Sequence, residues 1–130
     1  MNTTPKIVIA AVAGAALGAT AMQGLHAQAK PKAYLITETQ VLDREALDTY
    51  FPKILEAAKH QGGRVNYIGP SEKIVHVVGD APKRIGISEW ESVEKAEAWL
   101  KSAERKALLP ERDKAQKITR QFIVEGVGTR

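Results

Sequence analysis

The hydrophobic positions in the first part of the chain change from one period to another. Residues 33–41, AYLITETQV, alternate between apolar and polar and are rich in β-branched and aromatic side chains, which predicts a strand. Apolar residues in the next stretch, 42–63, recur every three or four positions, which predicts an amphipathic helix. Asp43 is placed to cap this helix, and the glycines at 62–63 are placed to end it. Pro52 falls inside it and is expected to kink it or to force a new first turn.

Three further strands are predicted in the middle of the chain. RVNYIG (64–69) and KIVHVVGD (73–80) are rich in β-branched side chains and are separated by the turn sequence PSE, which predicts a hairpin. A second turn, APK, leads into RIGISEW (84–90), which predicts the next strand.

The remaining pattern predicts one more helix and a closing strand. Apolar residues between 93 and 107 step by three or four positions, and Ser92 is placed as the N-terminal cap. Pro110 interrupts this pattern, so we expect a break into a second short helix near Leu109. ITRQFIVEGV (118–127) then has the composition of a strand.

The order of these elements predicts an α+β fold. It is a β-α-β-β-α-β arrangement with an extra strand in the middle hairpin, so two helices cover one face of a four- or five-stranded antiparallel sheet. The other face still carries apolar residues at alternate positions and has to be buried as well. A second copy packed sheet against sheet would bury it, and we therefore expect a homodimer.

The N-terminal segment differs in composition from the rest of the chain. A short stretch that carries Lys6 precedes an uncharged, alanine-rich run, and AQA at 27–29 has the small-x-small pattern that signal peptidase reads. The run is shorter than the ~20 residues that span a bilayer. We predict a signal peptide at 1–29 that is cleaved after Ala29, one domain at 30–130, and a periplasmic or secreted location without stable membrane insertion. Retention of the segment as a membrane anchor is the alternative.

Charge and cysteine content exclude several functional classes. The 130 residues carry a formal net charge of +4, and their acidic and basic residues are interleaved, as in EKAEAWLKSAERK (94–106). Such interleaving is typical of a solvated helix face and disfavours nucleic acid as a partner. The chain contains no cysteine, so it has no disulfide, thiolate nucleophile or iron–sulfur cluster.

The motifs of the common cofactor and nucleophile sites are absent from the sequence. His60 and His76 do not have the spacing of metal ligands, and we predict neither a metal nor a cofactor. The sequence also lacks a Gly-x-Ser-x-Gly nucleophile elbow, a dinucleotide-binding glycine pattern and a phosphate loop.

Glu38 and Glu89 each lie two residues from an isoleucine in a predicted strand, so they share a face with apolar side chains. This is an unusual place for charge. In an antiparallel sheet whose first and third strands are neighbours, Glu38 is expected near Arg84 and Ile85, and Glu89 near Tyr34. The two acids then lie at opposite ends of the strands, which argues against a paired-carboxylate mechanism.

Four stretches of the chain have the order and spacing of a known family: GGRVNYIG, GDAPKRIGISEWES, AEAWLKSAERKALLPERDKA and FIVEGV. They are similar to domain of unknown function family 1330, and the resemblance covers about residues 32–127. This family is grouped with the dimeric α/β barrels, ferredoxin-like proteins in which two sheets form a barrel across a two-fold axis. The resemblance implies that fold and that dimer, and it implies no activity. The chain departs from the family pattern at Arg105, where an aromatic residue is usual, and at residues 90–91, where Phe-Pro is frequent.

A cleft between sheet and helices is the expected ligand site in such a fold. We predict that its polar and aromatic groups, and the arginines that could hold an anion at its edge, are Tyr34, His76, Glu89, Trp90, Arg84 and Arg112. The favoured function is binding of a small organic molecule without a cofactor. The alternative is a cofactor-independent, monooxygenase- or isomerase-like enzyme that acts on a small carbonyl or aromatic substrate, an analogy at the level of the fold. A concave site that holds Glu89 or His76 would favour catalysis.

Overall fold

The computed structural model describes residues 30–128, except for the side chains of 66–70, and these residues form one antiparallel sheet with helices. The strands are β1 (Ala33–Val41), β2 (Arg64–Ser71), β3 (Arg84–Trp90) and β4 (Gln116–Glu125). The helices are α1 (Arg44–His60), α2 (Val93–Lys101), α3 (Ala103–Ala107) and α4 (Leu109–Ala115). The strand order β2-β3-β1-β4 confirms the predicted ferredoxin-like α+β fold. The predicted signal peptide, 1–29, lies outside the described residues.

Two of the helix caps predicted from the sequence are confirmed. The Asp43 carboxylate accepts a hydrogen bond from the backbone N–H of Ala46 at 3.0 Å, and the Ser92 hydroxyl accepts one from Lys95 at 3.2 Å. Helix α1 continues through Pro52, so no new helix starts at that residue. Across the described part of the chain, no helix is both long enough and apolar enough to cross a bilayer.

The second predicted helix is divided into three. The break expected near Leu109 is confirmed, because Pro110 stands in the first turn of α4. A further break at Ser102 was not predicted, since the apolar steps in the sequence continue across it. The Ser102 hydroxyl donates to the Trp99 carbonyl at 2.8 Å and accepts from the Arg105 N–H at 3.2 Å. One serine therefore closes α2 and caps α3.

The predicted strand at residues 73–80 is wrong. The segment between β2 and β3 is irregular, and its three valines, Val75, Val77 and Val78, are at least 81% exposed. Their β-branched side chains have the composition of a strand. A strand also requires a neighbouring strand whose backbone forms hydrogen bonds with it. No pairing forms there within the described residues, so the sheet has four strands.

The hydrophobic core lies between the helices and one face of the sheet. Its buried residues are Ala33, Leu35, Ala57, Ala58, Trp90, Ala96 and Trp99. The rings of Trp90 and Trp99 stack with their centroids 5.7 Å apart, and the Trp90 indole N–H donates to the Ser88 hydroxyl at 2.9 Å. The stretch SEWESVEKAEAW therefore supplies two packing aromatics.

The other face of the sheet, here called the open face, has an apolar centre. Residues directly opposite each other in neighbouring strands share a face. The pairs Ile36–Ile87, Ile36–Phe122 and Tyr34–Val124 place these side chains together. Phe122 is 39% exposed and Val124 is 43% exposed.

Ion pairs flank the apolar centre of the open face. Glu38 lies opposite Ile85, and Glu89 lies opposite Tyr34, as predicted from the strand order. Arg120 donates to both carboxylate oxygens of Glu38, at 3.0 and 2.7 Å. At the other end, Glu89 Oε1 lies 3.3 Å from the guanidinium of Arg64 and 3.8 Å from the ammonium of Lys32. The two acids thus lie at opposite ends of the face, Glu38 beside one basic side chain and Glu89 beside two.

The contact between Gly63 and Trp90 leads to a prediction about stability. A Cβ atom at residue 63 would lie 2.6 Å from two ring carbons of Trp90, which is 1% exposed and cannot move aside. We expect Gly63→Ala to lower the free energy of unfolding by about 1–3 kcal/mol in chemical denaturation. Gly128→Ala is the control, because its new Cβ would meet only a Pro31 atom at 3.9 Å. Equal stability of the two variants would contradict this packing.

Candidate functional site

A cleft of about 120 Å³ lies between the helices and the sheet. This volume is well above the roughly 10–15 Å³ that a single water molecule requires. Its apolar walls include Leu35, Phe51, Ile54, Leu55, Val65 and Ile118. Its polar groups include Thr37, Thr39, Ser88, Gln116 and Gln121. The cleft therefore offers apolar surface together with hydrogen-bonding groups, which is the usual composition of a small-molecule site.

Strand β1 explains why the cleft opens where it does. The positions of β1 that face the helices run from Ala33 and Leu35 to Thr37 and Thr39 along the strand. The first two belong to the closed core, whereas both threonines line the cleft. The Thr37 hydroxyl accepts a hydrogen bond from the Gln121 amide of β4 at 3.0 Å. Small polar side chains thus form the floor beyond the end of the core.

Arg84 is the most buried charged group of the cleft. It is 8% exposed at the start of β3, opposite Thr39. Its Nη1 donates to the Thr39 hydroxyl at 3.1 Å and to the Gln116 amide oxygen at 3.0 Å. The guanidinium carbon lies 5.2 Å from the centroid of the Phe51 ring, within the range of a cation–π contact. Burial lowers the pKa of Arg84 from its ordinary value, but a guanidinium remains charged in proteins.

Two more arginines line the cleft from the short helices. The Arg105 Nη1 donates to the Leu100 carbonyl at 3.2 Å. Arg112 donates from Nε and Nη2 to one carboxylate oxygen of its neighbour Asp113, at 3.0 and 2.8 Å. Burial lowers the pKa of Arg105, and the positive charge of Arg112 lowers it further. The two cations therefore act on each other in the same cleft.

Helix α3, which carries Arg105, is tied to the end of α1. His60 Nδ1 lies 2.9 Å from a carboxylate oxygen of Glu104, and the Gln61 amide donates to the other oxygen at 3.1 Å. The hydrogen bond to Glu104 raises the pKa of His60. Together with the Ser102 cap, this contact fixes where α3 begins.

Tyr50 is the titratable group of α1 in the cleft. Its side chain is 4% exposed, and burial raises its pKa to about 12, although Arg112, Arg105 and Arg84 act in the opposite direction. The phenol is therefore neutral at physiological pH, where it can donate a hydrogen bond but cannot act as a base.

The described lining of the cleft contains no Asp, Glu or His. Its ionisable side chains are three arginines and Tyr50, so the site is cationic. Among residues 30–128, no group of three or more His, Asp or Glu side chains is arranged to hold a metal ion. The cleft is suited to holding an anion rather than to removing a proton.

The structure brings together two of the six side chains predicted from the sequence. Arg84 and Arg112 both line the cleft, although they come from β3 and α4. The sequence-based prediction placed both at the edge of the cleft. Arg84 is instead buried, whereas Arg112 keeps 23% of its side-chain surface exposed.

The other four predicted side chains lie away from the cleft. Tyr34 lies on the open face because it is an odd number of residues from Thr37 along β1, and Glu89 shares that face because it pairs with Tyr34. Trp90 faces the helices but is enclosed in the core. His76 is exposed in the segment that failed to form a strand. These residues do not form one site.

Sequence reasoning missed Tyr50, Arg105 and the hydrogen-bonding partners of Arg84. Tyr50 lies on the apolar stripe of α1, and a phenol on such a stripe often marks a place where a polar tip has room. Arg105 differs from the residue usual in the resembled family, but its direction depends on the break at Ser102. No local sequence pattern predicts that break.

Comparison with known proteins identifies a family and a fold. The family model described as "Domain of unknown function (DUF1330)" matches residues 32–127. No curated protein matches the chain in sequence.

Solved structures with the same fold include proteins from three bacteria. RPA0582, a protein of unknown function from Rhodopseudomonas palustris, has a TM-score of 0.60 and 13% identity, over 85% of this chain and 94% of that chain. SnoaB, a cofactor-independent oxygenase from Streptomyces nogalater, has a TM-score of 0.55 and 8% identity, over 76% and 96%. HapK from Hahella chejuensis has a TM-score of 0.51 and 8% identity, over 75% and 95%. At these identities the similarity shows the fold alone.

Proposed function

The chain belongs to the DUF1330 family, and from this membership and the geometry of the cleft we propose that it is an exported, homodimeric protein that binds a small organic molecule between its helices and its sheet. The observation that carries the proposal is the composition of the cleft. Apolar walls can take up the body of a ligand, while the threonines, Gln116 and the arginines can orient its polar group. The proposal includes no cofactor.

Binding is favoured over catalysis by the titratable groups of the cleft. SnoaB is a cofactor-independent oxygenase, which keeps an enzyme on a small carbonyl or aromatic substrate as the alternative. General base catalysis needs a group whose pKa lies near the working pH. The described lining offers Tyr50, whose pKa is about 12, and arginines. Glu89 and His76, the proton-transfer candidates from the sequence, lie elsewhere.

The open face supports the homodimer. It has an apolar centre around Ile36 and Phe122 and ion pairs at both ends, and a buried apolar core with a polar rim is the usual anatomy of a protein interface. Packing against a second copy would remove the exposed parts of Phe122 and Val124 from water.

Export is supported by the sequence of residues 1–29, where a short basic start, an uncharged alanine-rich run and a small-x-small cleavage pattern follow each other. The absence of cysteine makes the fold independent of the redox state of its compartment.

We expect a ligand from a library of small aromatic and carbonyl metabolites to raise the melting temperature of the protein. Thr37→Phe places a ring in the cleft and is expected to weaken binding of such a hit by about tenfold or more, because the ring occupies the ligand's space. Thr49→Phe, on the exposed side of α1, is the matched control. Calorimetric titration of the hit measures the effect.

Two further variants separate the cleft from the residues proposed on sequence grounds. Glu89→Gln and His76→Ala are expected to leave affinity unchanged, since neither side chain lines the cleft. Unchanged binding to Thr37→Phe, or the lack of any hit, would overturn the assignment. Turnover of a hit that depends on Tyr50 would favour the enzyme alternative.

The homodimer predicts a mass of twice the chain at micromolar concentration, measured by light scattering. Phe122→Glu is expected to shift the protein toward monomer, because it places a charge in the apolar centre of the open face. Val127→Glu is the control, since Val127 is 92% exposed beyond the end of β4. A wild-type monomer at this concentration would rule out the dimer.

Export predicts that the protein recovered from the periplasm or medium of a bacterial host begins at Lys30. Ala29→Arg is expected to block cleavage, because signal peptidase requires a small residue there, whereas Gln28→Leu is expected to be processed normally. Intact mass spectrometry measures both results. A wild-type chain that retains residues 1–29 would show a membrane anchor instead.

A further inference from the structure

Two of the three arginines in the cleft have no ion-pair partner at close range among the described residues. Arg84, Arg105 and Arg112 line it from three different elements, β3, α3 and α4. Among the described residues, the carboxylate of Asp113 pairs with Arg112, and no carboxylate oxygen lies within 4.0 Å of the other two guanidinium groups. Arg84 and Arg105 instead donate to neutral oxygens.

This arrangement is unfavourable for the protein in the absence of a ligand. Burial lowers the pKa of both Arg84 and Arg105, and for Arg84 it outweighs the opposing charge of Glu72, so the surroundings disfavour both charged forms. Tyr50 supplies no counter-charge, because burial raises its pKa to about 12 and its phenol is neutral at physiological pH. A buried cation without an anionic partner is costly, and a bound anion removes that cost.

We infer that the ligand of the cleft is a small aromatic carboxylate, whose carboxylate group binds to the guanidinium groups of Arg84 and Arg105, with Arg112 beside them, and whose ring packs against the apolar wall. The inference rests on the proposed function, because it names the ligand class of the same cleft.

The hydrogen-bonding groups of Arg84 favour a carboxylate. Its Nη1 is occupied by Thr39 and Gln116, whereas its Nε and Nη2 have no hydrogen-bond partner among the described residues. These two nitrogens form one edge of the guanidinium fork, and such an edge matches the two oxygens of a carboxylate. The bonds to Thr39 and Gln116 hold the fork in place before a ligand arrives.

The walls and the size of the cleft favour a single ring as the body of the ligand. Phe51 lies under the Arg84 guanidinium, and Leu35, Ile54 and Trp99 belong to the same lining. A closed apolar cavity of about 150 Å³ accommodates benzene. The cleft, at about 120 Å³, is similar in size, and because it is open to solvent a ligand with one ring and a substituent can extend beyond it.

Benzoate tests the inference, with benzamide as the neutral molecule of nearly the same shape. We expect benzoate to bind saturably at pH 7 and low salt, monitored by NMR shifts of the Trp99 indole and by calorimetry, and benzamide to bind about tenfold or more weakly. Arg84→Met and Arg105→Met are each expected to weaken benzoate binding by about tenfold or more while benzamide binding stays within about twofold. Arg64→Met, on the exposed edge of the open face, is the control.

The melting temperature of the variant shows whether a loss of binding is caused by misfolding. Without ligand, Arg105→Met is expected to melt at or above the wild-type temperature, because it removes a buried cation that Arg112 repels. Its loss of benzoate affinity then reports the missing charge.

The other outcomes distinguish failure of this inference from failure of the binding function. Benzamide binding as tightly as benzoate, or inorganic phosphate binding more tightly than benzoate, would overturn the carboxylate assignment and leave the cleft as a binding site. Failure of benzoate, benzamide and every library compound to bind would overturn both proposals.

Discussion

The alternation of side chains along the central strand β1 organises the whole molecule. Strand β1 pairs with β3 on one side and β4 on the other. Each of its residues therefore shares a face of the sheet with one residue of β3 and one of β4, over most of its length. Its helix-facing positions begin with Ala33 and Leu35, which join the core, and continue with Thr37 and Thr39, which do not. Its opposite positions carry the apolar centre of the open face. A closed core, a cleft and an interface-like surface thus follow from one nine-residue strand.

The charged side chains of the open face and those of the cleft have different effects on stability. On the open face, the largely buried carboxylate of Glu38 pairs with the exposed Arg120, and such a pair suits the rim of an interface. In the cleft, Arg84 donates hydrogen bonds to neutral groups, and the more distant charge of Glu72 does not outweigh the effect of its burial. A buried cation lowers stability unless an anion binds to it. The energetic cost of Arg84 in the fold is therefore linked to the proposed anionic ligand.

The local chemistry of one residue, Ser102, links helix geometry to the site. By ending α2 and capping α3, it turns the chain so that Arg105 lines the cleft and its N–H is satisfied. Without the break, the charged residues of this stretch would continue along one solvated helix face. This is the structure that their interleaved charge pattern predicts. The contact of His60 with Glu104 holds α3 from the other side.

The sequence by itself determined the features that depend on neighbours a few residues apart. The strand periods, the caps at Asp43 and Ser92, the break at Pro110 and the register that separates Glu38 from Glu89 all follow from local geometry and an antiparallel neighbour. Only the tertiary structure decided the rest. Residues 73–80 have the side chains of a strand but lack a paired partner, which no local pattern reveals. The cleft joins side chains from β3, α1, α3 and α4, and their convergence depends on packing between elements far apart along the chain.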